Sequence, residues 1–190
     1  DLVRSRGLGD VYKRQTQEFD GYVTLNGGYC LAGKDKVIYK HNIPSGDIEA
    51  LIRYQENEEA FPCALVEEDG IYQNYVDDSV RQLYDMLDFP HPPLRPLRGN
   101  GGKEVYQLIA FFSPGHEERI MSVLPHCEAT RWNPLFADVV PRGSSKAVGI
   151  DKIIEYYGIS LHETMAFGDG GNDMATVSYT HLRAHETVLD

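Results

Sequence analysis

The residues with most chemical capacity lie near the carboxyl end, where Gly168-Asp169-Gly170-Gly171-Asn172-Asp173 follows the apolar run 164–167. That run predicts a short strand, and in open parallel sheets ligands bind beyond the carboxyl ends of strands. Glycines there let backbone amides come close to a phosphate or an ion. Asp169 offers a hard carboxylate oxygen of the kind Mg²⁺ prefers. Asn172 can donate to an anionic oxygen, and Asp173 can orient a metal-bound water or a neighbouring lysine. The same composition also suits an acidic, solvent-facing turn. A calcium-binding EF-loop is a poorer match, because its spacing and terminal Glu are missing.

Lys146 is the second element. It stands at the start of a predicted helix opened by Ser144-Ser145. The helix dipole does not favour a cation at that end. A lysine there is suited to neutralising an anion held beside the same amides. Taken alone, it reads first as a solvated surface lysine.

Several elements must position these groups. The stretch 21–25 alternates and runs into Asn26-Gly27, a strand followed by a turn. Short strands are expected at 29–31 and 37–39. Ser45 reads as an N-cap with Asp47 in the first turn, and Ile48, Leu51, Ile52 and Tyr54 extend that helix to about Glu58. Strands at 62–66 and 71–76 flank the turn 67–70. A helix opens at Asp77-Asp78 with Val80, Leu83, Tyr84 and Leu87 on one face. Residues 89–98 hold four prolines and form a loop. A buried strand is expected at 105–112, a helix from Ser113-Pro114 through Ile120, Met121 and Leu124, and strands at 127–132 and 136–140. The helix from Ser144 presents Ile150, Ile153, Ile154 and Tyr157 on one face and ends at Gly158. The order over 45–140 suits an antiparallel sheet with helices on one face. The closing helix–strand–loop suits the edge of a parallel α/β sheet.

Composition narrows the function. The 190 residues carry 18 Lys+Arg against 29 Asp+Glu, a net charge of -11. Broad contact with nucleic-acid phosphates is disfavoured. A small anionic ligand in a locally positive pocket is not. No run approaches the roughly 18 apolar residues of a membrane span. Cys30, Cys63 and Cys127 are far apart and odd in number, as expected of buried thiols in a cytoplasmic protein. The histidines His41, His91, His116, His126 and His162 show no ligand spacing.

Together, Ser145-Lys146-Ala147-Val148-Gly149 before a helix and 165–173 (Met-Ala-Phe-Gly-Asp-Gly-Gly-Asn-Asp) resemble the last two motifs of the haloacid dehalogenase (HAD) superfamily, most closely its Cof-type, IIB-subfamily phosphatases. Leu25-Asn26-Gly27 fits the same family, and the resemblance covers residues 16–175. It implies an α/β fold, a partial Rossmann-like core with an inserted α+β cap domain. Core pieces are then expected at 16–44 and 141–175 and the cap at 45–140. It further implies a Mg²⁺-dependent hydrolase of small phosphorylated metabolites, working through an aspartyl-phosphate. Lys146 would stabilise the transferring phosphoryl group, and Asp169 and Asp173 would serve the metal. Asn172 would support the phosphate network, and Asn26 would contact ligand near the core–cap hinge. The family's first motif, Asp-x-Asp, does not occur in these 190 residues, so the chain is expected to be inert by itself. A phosphomutase of the same subfamily and a non-catalytic ligand-binding module stay open as alternatives.

The two ends read differently. One DNA duplex can encode residues 5–15 on one strand and 177–187 on the other. This resembles a transposon-end sequencing adapter read through as protein. Residues 1–15 and 176–190 are therefore expected to stand outside the fold.

Overall fold

The computed structural model describes residues 19–166, together with the backbone of Leu182–Arg183. The chain divides into two compact units. Among the described residues, the first holds 41–142 and the second holds 19–40 with 143–166.

The first unit is a five-stranded antiparallel sheet in the order β5-β4-β6-β8-β7. Its strands are β4 (Cys63–Glu67), β5 (Gly70–Gln73), β6 (Val105–Ala110), β7 (Cys127–Asn133) and β8 (Phe136–Pro141). Three helices accompany them: α1 (Ser45–Asn57), α2 (Asp78–Met86) and α3 (Glu117–Val123). Leu65 pairs with Leu108 and Leu108 with Val139, so these three side chains share one face. That face packs against Ile48 and Leu51 of α1 and Ile120 of α3 in one apolar core. The expected antiparallel sheet is therefore present, with α1 and α3 packed on one face.

Differences are local and have physical causes. Pro44, not Ser45, is the N-cap of α1, with no side-chain cap bond. Its fixed φ already sets the chain for helix entry. At α2 the cap is side-chain made, as Asp77 accepts from the Val80 amide at 3.0 Å. The strand expected over 71–76 stops at Gln73, because the Asn74 side chain takes over: its Oδ1 accepts from the Cys63 and Tyr75 amides, each at 2.7 Å. The helix expected from Ser113 begins as a 3-10 turn, Pro114–His116, before α3. The proline-rich loop is tied down by the buried Glu67, which accepts a two-pronged bond from Arg95 and a 2.7 Å bond from the Asn100 amide. The Arg95 guanidinium also lies 3.8 Å over the Tyr72 ring.

The second unit contains the antiparallel sheet β1-β2-β3, made of β1 (Gly21–Thr24), β2 (Tyr29–Ala32) and β3 (Lys36–Lys40), together with α4 (Lys146–Tyr157). On α4 only Gly149 is fully buried. The isoleucines at 150, 153 and 154 are half-buried. Tyr157, expected on the same apolar face, is exposed, and its hydroxyl donates to the Asp20 carbonyl. The capped 3-10 turn Leu161–Glu163 leads from α4 to β9 (Met165–Ala166), which pairs in parallel with β10 (Leu182–Arg183). β10 falls in the segment expected to stand outside the fold. A strand edge offers unpaired amides and carbonyls, and a neighbouring segment that satisfies them will pair there.

Candidate active site

The site is built around the entry to α4. Ser145 is its N-cap, with the side-chain hydroxyl accepting from the Val148 amide at 3.2 Å. Lys146 is thus the first helical residue, and it is half-buried. The turn Leu25–Gly27 packs against this entry. Leu25, Asn26 and Gly27 all have left-handed backbones, with φ of 51°, 52° and 87°. For Leu25 this is an unfavourable region, so tight surroundings must hold it there.

Those surroundings are two glycines. A Cβ placed on Gly27 would lie 1.9 Å from the Ser145 carbonyl oxygen. A Cβ on Gly149 would lie 2.3 Å from a Val23 methyl and 3.0 Å from the Gly27 Cα. Backbone therefore meets backbone at a separation only glycine permits. The Cys30 thiol lies 3.7 Å from both the Gly27 and the Gly149 carbonyl oxygens and donates across the same seam. The seam places Asn26 and Lys146 in chain positions adjacent to the two touching residues, Gly27 and Ser145. Asp169, Asn172 and Asp173 lie outside the described residues, which end here three positions before Asp169.

The described residues narrow the chemistry further. Burial pushes the thiols of Cys30, Cys63 and Cys127 up to about 12. A thiol so raised is a poor nucleophile at neutral pH, which disfavours cysteine-based catalysis. Among the described residues no group of three His, Cys, Asp or Glu gathers as a metal centre. Two of the histidines are engaged with carboxylates instead: His126 Nδ1 lies 2.9 Å from the buried Asp47, and His116 Nδ1 lies 2.9 Å from Glu59.

Sequence reasoning passed over Asp138 and Gln107. Asp138 sits within the wholly buried strand β8 and accepts from the Gln107 amide at 2.8 Å. Burial raises its carboxyl to about 6. The available signal was an acid inside an apolar run, Phe136–Pro141, since acids are seldom buried without a partner.

The pattern of the haloacid dehalogenase-like hydrolases matches residues 5–183. The chain belongs to that family. It is 33% identical over 159 residues to YkrA of Bacillus subtilis (strain 168), a match covering 83% of this chain and 60% of YkrA. Among solved structures it is similar to BT4131, a sugar phosphatase of HAD subclass IIB, with a TM-score of 0.77 and 37% identity over 91% of this chain and 65% of that one. It is also similar to BT1666, a HAD phosphatase from Bacteroides thetaiotaomicron, with a TM-score of 0.81 and 33% identity, covering 93% of this chain and 66% of that one. The chain thus spans slightly less than two thirds of the length of these relatives.

Proposed function

We propose that these residues form part of a phosphatase acting on small phosphorylated metabolites, sugar phosphates above all. The first unit is the cap domain and the second unit is part of the Rossmann-like core. The observation that carries this reading is the glycine seam. It fixes a half-buried lysine at a side-chain-capped helix start and sets the Asn26 turn against that start.

Lys146 then binds a phosphoryl oxygen and neutralises charge that builds there in the transition state. The short link at 158–164 suits a strand that returns beside its helix, which brings the carboxyl end of β9 toward the helix start. Asp169 stands three residues past that end in the sequence, and Asn172 donates to the same phosphoryl group.

The donor set suits Mg²⁺: Asp169 and Asp173 are carboxylates, and the sequence 168–173 holds no soft ligand. When bound, Mg²⁺ would lower the repulsion between an anionic ester and an attacking carboxylate. Asn26 orients the ligand from the turn. The attacking aspartate is not supplied as an Asp-x-Asp by this sequence, so an aspartate from outside these residues accepts the phosphoryl group before water releases it.

The reading is tested with p-nitrophenyl phosphate and a panel of sugar phosphates, comparing these 190 residues with a longer protein that contains residues 16–175 and an Asp-x-Asp. The longer protein is expected to turn over with Mg²⁺ and the 190 residues are not. Robust Mg²⁺-dependent turnover by the 190 residues, or none by the longer protein, would overturn it.

A further inference from the structure

The Asp47 carboxylate turns away from α1 toward the segment 125–127. Its Oδ2 accepts from the His126 amide at 3.1 Å, and its Oδ1 lies 2.9 Å from His126 Nδ1. The Cys127 thiol donates to Oδ2 at 3.6 Å. Asp47 is 4% exposed. Pro44 already caps α1 without a side-chain bond, so capping does not account for this acid. Burying a carboxylate is costly unless it is matched, and here one short segment supplies the match.

The same segment holds a second residue, Arg142. The Pro125 carbonyl accepts from Arg142 Nε at 2.9 Å, and the His126 carbonyl accepts from the Arg142 amide at 2.8 Å. The Pro125 carbonyl and the His126 N–H belong to one peptide group, which is planar. That plane therefore has the Asp47 carboxylate at its N–H end and the Arg142 guanidinium at its carbonyl end. Both charges polarise the peptide in the same direction, so each bond strengthens the other. The neighbouring Cys127 thiol feels both. Burial is the main reason it is pushed up to about 12; Asp47 adds to the rise and Arg142 opposes it.

These two residues flank the places where the chain passes between its units. The first crossing precedes His41 and the second follows Arg142. Just beyond the first, Ile43 donates to the Val105 carbonyl at 2.7 Å and Asp47 lies in the first turn of α1. Arg142 is the last residue before the second, and Lys146 follows four residues later. We propose that Asp47 and Arg142 are positioning residues, joined through the 125–126 peptide, that couple the two crossings. A change beside one crossing is then felt beside the other. The catalytic consequence, through Lys146, rests on the phosphatase reading above. The coupling itself does not.

Amide exchange of the 190-residue chain at one fixed pH reads the coupling. Asp47→Ala should quicken exchange at the Arg142 amide, which is bonded to His126 and not to Asp47. Arg142→Ala should quicken it at the His126 amide, which is bonded to Asp47. Each change should be roughly tenfold, and the effect should run both ways because coupling is reciprocal. Amides at Leu65 and Leu108, in the middle of the sheet, should keep the parent's protection. Arg98→Ala, on an exposed ion pair with Glu56, should change neither remote amide. Circular dichroism verifies folding, and if one variant fails to fold the other decides. The proposal is overturned if a folded variant leaves its remote amide at the parent's rate, or lowers protection evenly across the unit. Kinetics test the catalytic consequence in a longer protein that contains residues 16–175 and an Asp-x-Asp. Both variants should lower kcat and kcat/KM together, and the double variant should be no slower than the slower single one. Additive losses or an unchanged kcat would overturn that consequence. An inactive parent would sink the phosphatase reading, and exchange would still decide the coupling.

Discussion

The two units hold themselves together by different means. In the 41–142 unit, charged and polar groups are drawn into a deep apolar interior and matched there, as with Glu67 among Arg95 and Asn100. In the unit formed by 19–40 and 143–166, α4 buries a glycine, and its isoleucines are only half covered. Order at the α4 entry comes from close backbone approach instead. A deep core holds a buried charge where hydrogen-bonding partners meet it there. A thin layer fixes a site by excluding side chains. The candidate catalytic lysine belongs to the second kind, the buried Glu67 cluster to the first.

The largest effect that sharpens this contrast is expected at Glu67. Glu67→Ala leaves the Arg95 guanidinium part-buried without its carboxylate, a change that typically costs about 3–5 kcal/mol. Urea unfolding should show a loss of that order, while Arg98→Ala, which breaks an exposed pair, should stay within about 0.5 kcal/mol of the parent. Equal losses would mean that the buried cluster is not what anchors the proline-rich loop.

A smaller effect is expected at Asp138. Its folded carboxyl sits at about 6 against an ordinary value of 3.8, because burial disfavours the charged form. The folded state therefore holds its proton more tightly than the unfolded state between those values. Stability falls as pH rises across that window and is lowest above it. A shift of this size corresponds to roughly 2–3 kcal/mol. Asp138→Asn should flatten the stability profile between about pH 4 and 6 and stabilise the chain at pH 7. Denaturant midpoints across that range check it, and an unchanged slope would contradict a buried ionisable Asp138.

The smallest stability effect is expected at the seam. Gly27→Ala requires a positive φ of an L-residue and pushes against the Ser145 carbonyl. It should cost about 1–3 kcal/mol. Its signature should be local: amide exchange at Val148 and Gly149 should quicken, while the five-stranded sheet stays protected. Uniform loss of protection would join the two units into one cooperative block.

Much of this was legible in the sequence. The apolar run 105–112 and the helical spacing of Val80, Leu83 and Tyr84 follow directly from burial, and these residues are buried. Family membership followed from the resemblance of the motifs at 145–149 and 165–173 to those of the haloacid dehalogenase superfamily. Tertiary pairings were not legible. Nothing in the proline-rich loop shows that Arg95 reaches back to Glu67, because that bond depends on where β4 ends. Asp47 read as a first-turn acid, yet it accepts from the His126 and Cys127 segment across the fold. The role of Asp138 needed the sheet register, which alone places it beside Gln107. Of the candidate site, Asn26 and Lys146 are brought to one seam, and Asp169, Asn172 and Asp173 lie beyond the described residues.

The central claim is electrostatic: Lys146 and a metal held by Asp169 make an anionic ester open to attack. The most direct test is steady-state sugar-phosphate hydrolysis by a longer protein containing residues 16–175, with Mg²⁺ titrated, for the parent, Asp169→Ala and His116→Ala. Asp169→Ala should lower kcat by about three orders of magnitude, consistent with several kcal/mol of charge stabilisation, and raise the Mg²⁺ requirement. His116→Ala should leave both unchanged. Near-normal turnover and metal dependence in Asp169→Ala would contradict the account.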